Sequence, residues 1–156
     1  MTMFQGSCLC GSVRYQFKEI AGPYVYCHCS SCRKASGSAF AANVAVPSSD
    51  FNLIEGEALL SCFESSPGKR RYFCSKCGSP LFNKVGTAPA LVRVRLGSLD
   101  SPFTEPPAAH IFTSEKAPWY EIQEGARQFP AWPKPEALAV PGSRQGTTDV
   151  PPGAET

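Results

Sequence analysis

Seven of the eight cysteines fall into tight groups: Cys8 and Cys10 in CLCG, Cys27, Cys29 and Cys32 in CHCSSC, and Cys74 and Cys77 in CSKCG. Thiols one or two residues apart on a turn can enter one coordination sphere, and zinc takes four sulfur or nitrogen ligands, at about 2.3 Å for sulfur. The groups therefore read as zinc sites. A disulfide framework would also use an even cysteine count. The N-terminal MTMFQGSCLCG, however, has no basic stretch followed by an apolar one. No export signal is expected, and the thiols should stay reduced in the cytoplasm. A thioredoxin-like reading of CSKC lacks its context, because no long amphipathic helix pattern follows Cys77.

Counting ligands separates two kinds of site. Cys8, Cys10, Cys74 and Cys77 make two pairs far apart in the chain, and a zinc held by all four would be closed and structural. Cys27, Cys29 and Cys32 then remain, three ligands with an exchangeable fourth position, which is the arrangement of catalytic zinc. Spacing alone also permits the CxC pair to join the triple group, or Cys62 to complete the second site. In EALLSCF, Cys62 shares a face with Ala58 and Leu60 and has no neighbouring ligand, so a buried free thiol is expected there. His28, between two ligands, is expected to support them or face a substrate rather than to coordinate.

Short strands must hold these turns. In SVRYQF, Val13, Tyr15 and Phe17 share one face while Ser12, Arg14 and Gln16 share the other. YVYC runs into the second cysteine group, and AFAANVAV alternates until Pro47 ends it. EALLSCF and KRRYFC flank a Ser-Ser-Pro-Gly turn, a hairpin that delivers Cys74 to a strand end. LVRVRL places Val92, Val94 and Leu96 on one face and Leu91, Arg93 and Arg95 on the other. Fifteen prolines and thirteen glycines among short apolar runs favour a β-rich domain over a helical bundle. A net charge of +2 makes no general case for nucleic acid, and Lys69, Arg70 and Arg71 form a local charge run. The apolar run from Ala39 to Val46 is far shorter than the roughly 20 residues that span a bilayer. The expected organisation is one domain over 1–131 and a proline-rich, disordered tail over 132–156.

GSCLCGSVRY, CHCSSCRKASGSAF, FCSKCGSPLF and AHIFTSEKAPWYEI, in that order, resemble the glutathione-dependent formaldehyde-activating enzyme family, which also contains centromere protein V. The likeness runs from Phe4 to Phe129. It implies a mainly β, single-domain β-tent of short antiparallel sheets with few short helical turns. It also implies two zinc sites, structural at Cys8, Cys10, Cys74 and Cys77 and catalytic at Cys27, Cys29 and Cys32. The implied activity is that of a carbon–sulfur lyase joining formaldehyde to the thiol of glutathione, giving S-hydroxymethylglutathione. The expected partners are a small thiol such as glutathione and an aldehyde, with no nucleic acid or membrane.

A zinc bearing three thiolates has a formal site charge of minus one, which favours thiol chemistry over carbonyl polarisation, and a thiol entering the fourth position would lose its proton. Arg33 and Lys34, directly after the last ligand, are candidates to bind a substrate carboxylate, against a reading as solvated surface charge. His110 is a candidate proton carrier, against a structural role, and Trp119 is expected in the core. Ser36, Gly37 and Ser38 would form a small-residue wall near the metal. A second functional class is a noncatalytic zinc-stabilised binding module, whose mark would be a second site closed by Cys62 or absent.

Overall fold

Alternation of side chains decides the first layer. Tyr15 and Phe17 are fully buried while Arg14 between the turn and the core is exposed, as the two-residue period of a strand requires. The computed structural model describes residues 2–138. Within them β1 (Phe4–Ser7), β2 (Arg14–Phe17) and β5 (Asn52–Glu55) form a small antiparallel sheet in the order β1-β2-β5. A second sheet runs β10-β3-β4-β9-β8-β7-β6. Its strands are β3 (Val25–Cys27), β4 (Ala41–Pro47), β6 (Leu60–Ser66), β7 (Lys69–Cys74), β8 (Pro80–Val85), β9 (Leu91–Arg95) and β10 (Ala109–Ile111). Only the β10–β3 pairing is parallel. The mainly β expectation holds, and so does the β6–β7 hairpin.

The main core lies between the sheets. Val44, Val46, Val92, Val94 and Phe82 present one face of the large sheet to Tyr15 and Phe17 of the small one. Phe51 bridges them, its ring centroid 5.3 Å from Tyr15 and 4.9 Å from Phe82. Such tilted aromatic contacts add to the gain from area burial.

The opposite face of the large sheet is polar yet covered. Register aligns Arg71 with Asn83 and Asn83 with Arg93, and pairs Arg95 with Asn43. Helix α1 (Ser30–Ser36) lies on this face, where Ser36 Oγ accepts from Arg95 Nη1 at 2.8 Å. The Trp132 ring lies 6.5 Å from the Phe112 ring and 6.0 Å from the Arg93 guanidinium.

Residues 132–138 thus pack on the domain, although composition places them in the tail. Pro133 and Leu138 are buried, and the half-buried Trp132 ring lies against Phe112 and Arg93. The rest of that expected tail, 139–156, lies outside the described residues. Trp132→Ala is expected to lower stability by about 2 kcal/mol, less than the loss of a fully buried aromatic. Urea denaturation checks this, and an unchanged midpoint would show that the ring contributes nothing.

Candidate metal centres

The four-cysteine group is built from two turns on different sheets. In the β1–β2 turn, Cys8 N donates to Val13 O at 3.1 Å, Gly11 N donates to Cys8 O at 2.9 Å, and Val13 N donates to Cys8 Sγ at 3.2 Å. In the β7–β8 turn, Gly78 N donates to Cys74 O at 2.7 Å. Gly11 and Gly78 close these turns with φ of 75° and 78°, a left-handed conformation that costs glycine little. The Sγ atoms of Cys8, Cys10, Cys74 and Cys77 lie within 4.8 Å of one another. Cys8–Cys10 and Cys10–Cys74 separations are 3.5 and 3.9 Å. A tetrahedral metal with bonds of about 2.3 Å to sulfur has a sulfur–sulfur edge of roughly 3.8 Å. The cage fits. Ser79 draws the Cys77 thiol down to about 5, chiefly through its hydroxyl, toward the thiolate that a metal requires.

The three-cysteine group joins the end of β3 to the start of α1. Cys29 is the helix N-cap, and its Sγ accepts from Cys32 N at 3.2 Å, the place an Asp or Ser oxygen commonly takes. That cap turns Cys29 and Cys32 toward Cys27, and the three Sγ atoms lie within 4.8 Å of one another. Among the described residues no fourth Cys, His, Asp or Glu joins them. Ala41 and Phe112 pack against the trio. Phe112 has φ of 53°, a strained backbone for an aromatic residue, held where its ring walls the centre. Hydrogen bonds from Cys27 and Cys29 draw Cys32 down to about 2, aided by the charges of Lys69 and Arg71. The hydrogen bond between Cys27 and Cys29 raises Cys27 in turn.

Cys62 does not belong to either group. It is exposed on β6, the last strand of its sheet, where it stands opposite Tyr72. The expected burial fails because this face of the edge strand is left open.

His28 and His110 form a pair. His28 Nε2 and His110 Nδ1 are hydrogen-bonded at 2.7 Å, with His28 fully buried and His110 nearly so. Tyr26, Phe40 and Tyr120 surround them with ring centroids 5.2 to 5.8 Å away. Burial first, and then the neighbouring His110, push His28 down to about 4, and burial lowers His110 as well. The pair is neutral near pH 7. His110 pairs with Tyr26 while Ile111 pairs with Cys27, so alternation places His110 and Cys27 on opposite sheet faces. Trp119, expected in the core, is 70% exposed at a turn, and Tyr120 takes the inward position beside His28.

Arg33 donates from Nε to His28 O at 3.3 Å, bracing the ligand loop, and Lys34 is exposed. The positive charge acting on the trio comes from elsewhere in the chain. Lys69, Arg71 and Arg95 are 5 to 7% exposed, and with Arg93 they share the polar sheet face. The interaction of Arg93 and Arg95 with Cys32 opposes the lowering that burial imposes on both. In the sequence they stand out only as a local charge run at Lys69, Arg70 and Arg71 and as the polar face of LVRVRL. The available signal was spacing: Lys69-x-Arg71 and Arg93-x-Arg95 each set two cations on one strand face. A cavity of about 620 Å³ opens beside Arg95, lined by Cys8, Ser36, Ser38, Phe40, Ser79 and Asp100 among others, so it borders the four-cysteine cage and none of the trio cysteines lines it. It falls within the roughly 300–1,000 Å³ of small-molecule sites. Ser36 and Ser38 of the expected small-residue wall line this cavity, Gly37 does not, and the cavity touches none of the trio cysteines.

Two sheets joined through one cysteine cage, with an incomplete thiol set at a helix cap, define a mainly β protein with two cysteine groups that could hold metal. The chain belongs to the glutathione-dependent formaldehyde-activating enzyme family, whose model matches residues 3–115. A Halomonas elongata protein with the provisional name glutathione-dependent formaldehyde-activating enzyme is 33% identical over 158 residues, covering 92% of this chain and 97% of that one. A Rhodobacter sphaeroides protein of known crystal structure shares the fold, with TM-score 0.55 and 22% identity over 64% of this chain and 90% of its own.

Proposed function

We propose that this protein is a cytoplasmic, zinc-dependent carbon–sulfur lyase that joins formaldehyde to the thiol of glutathione, with zinc at both cysteine groups. The observation that carries this reading is the trio of Cys27, Cys29 and Cys32, with no fourth protein ligand among the described residues, in a chain of this family. A cavity lined by Ser36 of the same helix and by Arg95 offers room for a small molecule. Zinc, when bound to the trio, supplies a cationic centre that favours the thiolate form of an entering thiol.

The protein's own residues set the geometry. Cys29 caps the helix and fixes the direction of Cys32, Arg33 braces the loop backbone, and Phe112 shuts one side. His110 acts through its bond to His28 as a positioning residue for the loop between Cys27 and Cys29. In the addition, a sulfur lone pair forms the carbon–sulfur bond, the carbonyl π pair passes to oxygen, and that oxygen takes a proton from solvent. Free thiols at all eight cysteines accord with a reducing compartment. No helix of the described residues is long and apolar enough to cross a membrane. Of the two marks of a binding module, a second site closed by Cys62 or absent, the exposed position of Cys62 on β6 speaks against the first.

Cobalt substitution tests the proposal. Titrating glutathione should strengthen the sulfur-to-cobalt charge-transfer absorption as a fourth sulfur binds, and binding should weaken at low pH because the thiol must deprotonate. Cys32→Ser should abolish the response. A spectrum indifferent to thiols, together with no S-hydroxymethylglutathione detected by NMR from glutathione and formaldehyde, would overturn the reading.

A further inference from the structure

We infer that Arg71, Arg93 and Arg95, with Lys69 alongside, form a seat for a carboxylate of the thiol substrate on the sheet face that carries the cysteine trio. This rests on the reading of the trio as a thiol-binding centre, and it assigns the recognition of the substrate's charge to strands β7 and β9 rather than to α1.

Arg71 carries the argument furthest. Its Nε donates to Ser65 Oγ at 2.8 Å, which holds the guanidinium from behind, while Nη1 and Nη2 are both buried without a partner. The side chain is 7% exposed. A planar fork anchored at Nε with both terminal nitrogens free matches the two oxygens of a carboxylate. Arg93 Nη2, Arg95 Nε and Asn83 Nδ2 are buried without partners too. Arg95 is held in turn by Ser36 at 2.8 Å. Donors left like this are costly unless something accepts from them.

Register makes them one surface. Arg71, Asn83 and Arg93 stand in a row across β7, β8 and β9, and Arg95 is two residues beyond Arg93 on the same face. Two routes connect this row to the trio. Arg95 bonds Ser36, one turn beyond Cys32 on α1, and Trp132 lies between Arg93 and Phe112, which packs on the cysteines.

Charge selects the occupant. Among the described residues no carboxylate of the protein pairs with Arg71, Arg93 or Arg95, and three thiolates with a divalent cation carry a net charge of only minus one. The aldehyde is neutral and cannot supply the missing charge. A thiol that carries carboxylates can. Arg33, bonded through Nε to His28 O, has no buried nitrogen left without a partner, and Lys34 is exposed.

The test uses the zinc-loaded full chain and separates thiol from carboxylate. S-methylglutathione has the carboxylates and no free thiol, and glutathione diethyl ester has the thiol and no carboxylates. By calorimetry, Arg71→Gln should weaken S-methylglutathione and glutathione by about 10- to 100-fold, as loss of a charged bidentate contact implies. It should leave the diester and 2-mercaptoethanol unchanged, with zinc content and circular dichroism as in the wild type. If Arg71→Gln fails to fold, Arg93→Gln, at a half-buried position, provides the same comparison. Equal weakening of glutathione and its diester, or S-methylglutathione binding untouched by either variant, overturns the seat. Should cobalt at the trio ignore thiols while S-methylglutathione still depends on Arg71, the thiol-centre reading fails and the seat stands.

Discussion

Cys74→Ser will leave the chain largely unfolded, whereas Cys32→Ser will stay folded and lose one metal and the activity. Cys74 is fully buried within the main core, packed in the cluster that contains Cys8, Val13 and Leu81. Its cage also ties the small sheet to the large one, since Cys8 and Cys10 follow β1 and Cys74 and Cys77 bracket the turn after β7. Structural zinc contributes about 10–16 kcal/mol in small domains, as much as the roughly 5–15 kcal/mol of net stability of a whole domain. Cys32 sits instead in a separate small cluster with Cys29 and Ala41, away from the contacts between sheets. Circular dichroism with metal analysis distinguishes the variants, and equal loss of structure in both would contradict this division of labour.

Gly56→Ala will cost more than about 4 kcal/mol, well above an ordinary substitution. Gly56 links β5 to the following turn at Glu57–Leu59 with φ of 85°. A Cβ there would stand 2.2 Å from Ser12 O and 2.8 Å from Val13 Cα. Both are backbone atoms at the entry to β2, next to the cysteine turn, and cannot swing away. Gly125 supplies the control, because its φ of 84° is nearly the same and nothing lies within 4 Å of its Cβ position. Gly125→Ala should cost only the left-handed strain, about 1–2 kcal/mol. Urea denaturation of the two variants measures the difference, and similar losses would mean that close approach to Ser12 is not what makes Gly56 necessary.

The strands that were legible are those whose side chains alternate cleanly: Tyr15 and Phe17 in β2, Val44 and Val46 in β4, and Val92 and Val94 in β9 all face the core. Alternation reports which residues share a face. It does not report what lies on that face, and the misreadings follow from this. Cys62 was placed correctly on a strand, but only sheet order shows that β6 is an uncovered edge. Trp119 and Tyr120 are neighbours of similar apolar character, and the turn decides which one enters. Trp132 looked like part of a proline-rich tail because its partners, Phe112 and Arg93, are distant in sequence.

The sequence by itself determined the cysteine pairs that could hold a metal, because a coordination sphere is only a few ångströms across and a CxC or CxxC turn already brings its two thiols within that reach. Cys8 and Cys10 group with Cys74 and Cys77, and Cys27, Cys29 and Cys32 form the second group, a choice among pairings that spacing alone had left open. Only the tertiary structure decided which charged groups surround the trio. Lys69 and Arg71 stand about forty residues beyond Cys32, and Arg93 and Arg95 about sixty, and they meet it only through the pairing of β7, β8, β9 and β4 and the helix laid across them. A cation on a strand face is solvated or enclosed according to what packs above it, which is a property of the assembled sheet rather than of any local run of residues.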